Sequence, residues 1–162
     1  MLKTQPQRVM NENITIRKYA SADKEYVINL FRLNTPKYFA ASEEEDLVYY
    51  LSHHIENHYV VACGDKLWGC GGFTLSDDLS TGKISWDIFH PDHQGKGLGS
   101  ILTKYRIEKI QEHKTIKSIS VRTSQVAFKF YERFGFNLKE TIKDYWAEGF
   151  DLYRMEYMIK GK

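Results

Sequence analysis

Apolar and polar positions first fall into a pattern at residues 14–18. Ile14 and Ile16 alternate with Thr15 and Arg17, the period of a half-buried strand. The period then lengthens. Val27, Leu30 and Phe31 recur at helical spacing behind Ser21, a good N-cap, and Asn34-Thr35-Pro36 closes that helix. Ser42, with Glu45 three residues later, spells a capping box. It predicts a second helix through Leu47, Tyr50 and Leu51 to His54. An apolar run over 59–63 predicts a strand, Gly64-Asp65 a tight turn, and 67–75 its hairpin partner. Gly69, Gly71 and Gly72 inside that partner predict a bulge or a close backbone approach. A turn at 77–82 leads into a strand at 83–89. Leu98, Ile101, Leu102 and Tyr105 then form one stripe of a long helix. A strand follows at 116–121. Thr123-Ser124 caps a short helix with the stripe Ala127, Phe130, Tyr131 and Phe134, and Gly135 ends it. Strands at 138–145 and 150–159 finish the chain. The order β-α-α-β-β-β-α-β-α-β-β predicts an α/β protein of α+β type, antiparallel in front with one parallel crossover later. No linker interrupts it, so 14–160 reads as a single domain behind a flexible polar segment, 1–13.

Composition narrows the classes. At 162 residues, 42% hydrophobic and 27% charged, the chain can bury a full core without disulfides or metals. A net charge of +2 is no nucleic-acid footprint. No stretch approaches the ~18 apolar residues of a membrane span, and residues 1–10 lack the apolar core of a secretory signal. Cys63 and Cys70 form no CxxC pair and read as reduced thiols of a cytoplasmic protein. Aromatic residues make up 14% of the chain, enough to line a cleft as well as a core.

The chemistry concentrates in Phe89-His90-Pro91-Asp92-His93-Gln94-Gly95-Lys96-Gly97-Leu98-Gly99-Ser100. A strand runs into glycines and directly into a helix. Glycines let phosphate oxygens approach the backbone, and the helix N-terminus offers unpaired N–H donors and the positive dipole end. The spelling is neither of two common phosphate motifs. Ser100 and Leu102 stand where a Rossmann loop needs glycine, and Gly97 follows Lys96 where a Walker A loop needs Ser or Thr.

Gln94-x-x-Gly97-x-Gly99 does resemble the Gln/Arg-x-x-Gly-x-Gly/Ala signature of the GNAT N-acetyltransferase superfamily, and Phe89-x-Pro91 resembles its preceding strand end. Residues 123–136 resemble its second signature, a helix ending in Tyr-x-x-x-Gly-Phe, here Tyr131 to Phe136. Ser124 or Gln125 stands where that helix often begins with Asn. The resemblance spans about 14–159. It implies a mixed, mostly antiparallel sheet with flanking helices and a splayed strand pair that holds acetyl-CoA. It places the pyrophosphate on the amides of Gln94, Gly95, Lys96, Gly97, Leu98, Gly99 and Ser100. It places the pantetheine arm beside Ile88 and Phe89, where 83–89 splays from 116–121, and adds Ser124, Phe128 and Tyr131 to the cofactor site. The Phe89 N–H would hold the thioester carbonyl and its developing oxyanion.

The same resemblance makes Tyr131 the general acid that protonates the departing thiolate; the plain alternative is core packing beside Ala127 and Phe134. Asp87, the only carboxylate in 83–89, is the candidate base. Its alternative is a structural Asp satisfied by a neighbouring Lys, Tyr or backbone group. Alternation puts Asp87 on one side with Ser85 and Phe89, and Trp86 with Ile88 on the other. Tyr38 and Phe39, in the loop between the first two helices, would wall the acceptor site. Glu43, Glu44 and Glu45 read as a helix first turn complementing its dipole. His54 and His58 lack a third ligand and read as surface histidines, so no metal is expected. The implied reaction is acetyl transfer from acetyl-CoA to a primary amine of a small molecule, by direct attack in a ternary complex. A protein Lys or N-terminal acetyltransferase and a non-catalytic acyl-CoA sensor stay open, as does monomer against homodimer. No nucleic acid and no membrane is expected as partner.

Overall fold

The computed structural model describes residues 7–9 and 13–161. Among these, eight strands form one sheet in the order β1-β2-β3-β4-β5-β6-β8-β7. They are β1 (Gln7–Val9), β2 (Ile14–Lys18), β3 (His58–Cys63), β4 (Lys66–Leu75), β5 (Thr81–Phe89), β6 (Ser118–Thr123), β7 (Asn137–Ala147) and β8 (Phe150–Met158). All neighbours pair antiparallel except β5 and β6, which run parallel. The helices are α1 (Lys24–Leu33), α2 (Glu44–His53), α3 (Leu98–Gln111) and α4 (Phe128–Glu132). No helix among the described residues is long and apolar enough to cross a membrane. Most of the segment expected to be flexible, 1–13, lies outside the described residues. Within it, Gln7–Val9 forms an edge strand on β2 that periodicity did not reveal.

The sheet is covered on both faces. One core packs α3 and α4 against Ile16, Tyr59, Val61, Ile84 and Ile119; the other packs α1 and α2 against Val60, Cys70 and Ile88. Hence β3 reads as an unbroken apolar run: alternate residues serve opposite cores. The wide apolar stripe of α1 buries Val27, Ile28, Leu30 and Phe31.

The helix caps differ from expectation. A short 3₁₀ turn precedes each of the first two helices, at Ser21–Asp23 and Ala41–Glu43. The capping groups are carboxylates reaching back: Asp23 accepts from the Ala20 N–H at 2.8 Å and Glu43 from the Ala40 N–H at 2.9 Å. Ser21 and Ser42, the expected caps, are exposed in those turns. Asp23 is also held by Arg17 at 2.8 Å, and chiefly this hydrogen bond keeps its carboxyl below its ordinary range.

Candidate active site

The site begins where β5 outruns its parallel neighbour. β5 and β6 pair from Thr81–Ser118 to Ile84–Val121 and then part. On its other side β5 stays with β4, but the register slips there: Gly72 faces Ser85 and Cys70 faces Ile88, so Gly71 stands opposite both Trp86 and Asp87. This is the irregularity that the β4 glycines foretold. A Cβ on Gly71 would sit 2.3 Å from Asp87 Oδ1, so the bulge needs glycine at that point. Trp86 takes φ +53°, a conformation costing a bulky residue about 1–3 kcal/mol.

The bulge overturns part of the alternation. Ser85 bonds Tyr50 of α2, and Trp86 packs with Phe31 and Phe39, so both lie on the α1–α2 side. Asp87 points the other way, toward α3. Asp87 and Ser85 therefore do not share a face as expected, while Trp86 and Ile88 do. One extra residue in the strand advances the phase of every side chain beyond it.

Asp87 lies between two partners. Arg106 of α3, fully buried, brings Nη2 to 2.6 Å from Asp87 Oδ1, and its Nη1 donates to the Gly72 carbonyl at 3.1 Å. The Tyr131 hydroxyl donates to Asp87 Oδ2. Burial foremost, then the Asp87 charge, holds the Tyr131 phenol well above its ordinary range, with Arg106 acting in the opposite sense. A phenol in that state keeps its proton at neutral pH. Tyr131 packs edge-on against Phe130 and Phe136 and also lines the cleft. Arg106 went unnoticed in the sequence. Its signal was there: a cation four residues after Leu102 on the buried stripe of α3, a position rarely left unpaired.

The glycine segment forms one end of the cleft. Gly97 caps α3 at φ +83° and Gly95 sits at φ +81°, both with open space where a side chain would project. Gln94, Gly95, Gly97, Leu98, Gly99 and Ser100 all line the cleft, with Phe89 and Ser124. The loop is fastened to the core by amides. Asn34 Nδ2 donates to the Phe89 carbonyl at 2.9 Å, and Gln94 Nε2 donates to the same carbonyl and to Asn34 Oδ1, each at 3.1 Å. The next residue, His90, donates to the Trp68 carbonyl of β4. By alternation of the strand, the Phe89 amide faces the opposite edge, the one that β6 abandons. Ser124 organises the turn into α4, its Oγ accepting from Val126 N–H at 3.2 Å. Three expected cofactor residues keep their side chains away from the cleft. Ile88 is buried in the α1–α2 core, Lys96 extends to His93 and Trp68, and Phe128 packs on Tyr153 at 4.7 Å.

The other end of this cleft of about 830 Å³ is aromatic. Tyr38 and Phe39 form one wall, and Trp86 lies stacked on Phe39 with ring centres 6.0 Å apart. Trp146 and Phe150, on the β7–β8 hairpin, form the facing wall. The hairpin is pinned across the end of β6. Trp146 Nε1 donates to the Thr123 carbonyl at 3.1 Å, and Gln125 bonds both the Gly149 carbonyl and the Asp151 N–H. Arg122 stacks over Tyr145 and Trp146 at the rim. Glu43 also lines this end; Glu44 instead pairs with Arg32, and Glu45 is exposed.

Beneath the floor runs a buried chain. Tyr50 bonds Ser85 Oγ at 2.8 Å and His58 Nδ1 at 3.0 Å. His58 is thus a core residue, correcting its reading as a surface histidine, whereas His54 is exposed. Burial, aided by the Arg106 charge, lowers the His58 pKa to about 3, so it is neutral. Both cysteines are free. Among the described residues no group of three or more His, Cys, Asp or Glu could hold a metal ion.

A splayed strand pair, a glycine-capped helix at its mouth and a buried Tyr–Asp–Arg cluster meet at this one cleft. The acetyltransferase (GNAT) family model matches residues 24–136, and the chain belongs to that family, whose members are acetyl-CoA-dependent acyltransferases. No curated protein matches the sequence. Solved structures do. The ribosomal-protein-S18-alanine N-acetyltransferase of Escherichia coli is 16% identical with TM-score 0.74, over 92% of this chain and 96% of that one. Spermidine N-acetyltransferase of Vibrio cholerae is 19% identical with TM-score 0.68, over 90% and 94%. The protein yncA of Salmonella typhimurium, solved with its cofactor acetyl-CoA, is 17% identical with TM-score 0.71, over 93% and 96%. At these identities the likeness is one of fold.

Proposed function

We propose that the chain transfers an acetyl group from acetyl-CoA to a primary amine of a small molecule within a ternary complex. The observation that carries this reading is the Tyr131 hydroxyl, hydrogen-bonded to Asp87 at the splayed edge of β5, between the glycine loop and the aromatic walls. The donor end suits a pyrophosphate: Gly95 and Gly97 leave open approaches, and the first amides of α3 supply donors. In this reading Gln94 to Ser100 hold the diphosphate through main-chain amides, and the Phe89 N–H polarises the thioester carbonyl.

Asp87 and Tyr131 then divide the proton work. The attacking nitrogen carries a proton it must lose, and the departing sulfur needs one. Asp87, lining the cleft, accepts the amine proton directly or through one water. Tyr131 gives its own proton to the sulfur and is restored by Asp87. The protons balance: of the two that an ammonium loses on becoming an amide, one passes through Asp87 and Tyr131 to the thiol and the other leaves to solvent. Arg106 keeps the carboxylate aimed at both partners. This joins the acid and base roles expected of the two residues in one relay.

The enclosing walls of Tyr38, Phe39, Trp146 and Phe150 support a small acceptor over a protein segment. The test is release of free CoA thiol from acetyl-CoA across a panel of small amines, peptides with free N-termini, and no acceptor. Turnover with small amines is expected. Acetyl-CoA binding without turnover on any acceptor would make the chain a sensor. Turnover confined to peptides would make it a protein acetyltransferase.

A further inference from the structure

Resting on that reading, we infer that the acceptor is a monocationic primary amine with an aromatic or bulky apolar body a few carbons from the nitrogen, the arylalkylamine class. Five rings face the acceptor end: Tyr38, Phe39, Trp86, Trp146 and Phe150. They come from three separate stretches of chain, and each is only partly buried. So much apolar surface gathered in one concavity suits an apolar ligand better than water. Two of the rings are held there at a cost or with their polar atom spent. Trp86 reaches its place through a strained backbone. Trp146 donates its only N–H to the Thr123 carbonyl, so it offers the cleft hydrocarbon and a π face alone.

Charge selects the rest of the ligand. Asp87 is matched by Arg106. Glu43 is the other carboxylate in the cleft; one of its oxygens takes the Ala40 N–H, and no Lys or Arg pairs with it among the described residues. Its burial raises its pKa, and an ammonium beside it would act in the opposite sense, favouring the carboxylate. Aromatic faces add to the attraction for a cation. Arg122 at the rim, stacked on Tyr145 and Trp146, opposes a second positive charge farther out and so disfavours polyamines.

The experiment is steady-state thiol release with acetyl-CoA and three acceptors: ethylamine, 2-phenylethylamine and spermidine. Ethylamine and 2-phenylethylamine differ by the ring alone. Burying a phenyl group should raise kcat/KM by about 30-fold over ethylamine. Phe39→Ala should narrow that ratio at least about fivefold, whatever it does to either amine alone. Glu43→Gln keeps an oxygen for the Ala40 N–H and should raise KM for 2-phenylethylamine about tenfold with kcat little changed. The wild-type ratio stands as a test even if a variant fails to fold. A ratio near one, or a preference for spermidine, overturns the inference and leaves the acetyltransferase reading intact. Acetyl-CoA binding with no thiol release from any amine overturns both.

Discussion

The two ends of the cleft are built from different materials. The end proposed to take the donor is built mainly from one contiguous stretch, 89–100, and offers main-chain amides and the absence of side chains. The end proposed to take the acceptor is made of side chains from the loop after α1, the bulge of β5, the start of α2 and the β7–β8 hairpin. A site made of backbone changes only when the backbone or its clearance changes. A site made of side chains can be retuned one residue at a time, while the scaffold and the donor end stay as they are. Asp87 and Tyr131 line the cleft between the two ends, with Arg106 buried behind Asp87.

That middle cluster should show the largest effect. Arg106→Met leaves the Asp87 carboxylate in a buried site without its cation, and unfolding free energy should fall by about 3–5 kcal/mol. Adding Asp87→Leu should recover most of the loss. Denaturant titration of the single and double variants checks both statements; an additive double variant would mean the pair is not coupled. Next comes Tyr131→Phe, which should keep the fold and acetyl-CoA binding and lower kcat by about 10- to 1,000-fold. An unchanged kcat at saturating substrates would reduce Tyr131 to a packing residue. Asp87→Asn should lower the rate with a loss that shrinks as pH rises and more amine arrives neutral.

A third test reaches the floor of the acceptor end. His58 has a folded-state pKa near 3 against an ordinary value of 6.5. Between those values the unfolded chain binds a proton that the native protein does not, so stability is complete above about pH 6.5 and falls as pH drops. From pH 6.5 to pH 5 this group should remove about 2 kcal/mol. Urea unfolding of wild type and His58→Gln at the two pH values isolates the effect, because the variant lacks that titration. The mildest change should fall on the donor end. A side chain on Gly99 would start 3.2 Å from Phe130, so Gly99→Val should weaken acetyl-CoA binding at least about tenfold, or about 1.4 kcal/mol. KM for the amine should hardly move. Calorimetry showing wild-type affinity would remove the glycine loop from the donor site.

These contrasts track what could be read without a structure. The glycine segment was legible because its pattern is local: a strand, glycines and a helix start in consecutive positions need no long-range contact to be recognised. The strands at 14–18, 59–63, 67–75 and 83–89 were legible for the same reason, each carrying its own period. Helix starts were less so. The capping carboxylates Asp23 and Glu43 sit inside a 3₁₀ turn, and the hydroxyls of Ser21 and Ser42 were more conspicuous than the turns. The wall formed by Trp146 and Phe150 was not legible, because nothing local shows what the β7–β8 hairpin will face.

The sequence by itself determined the order of elements, the glycine-lined helix mouth and the presence of Asp87 and Tyr131, since each depends on neighbours along the chain. Only the tertiary structure decided where those groups point. The bulge opposite Gly71 turned Asp87 toward α3 and Trp86 toward the acceptor end, against simple alternation. Arg106 meets Asp87, and His58 meets Tyr50 and through it Ser85, across gaps in sequence that no local period encodes. Charge pairing and clearance depend on distance in space, and that distance is set when two cores close on opposite faces of one sheet.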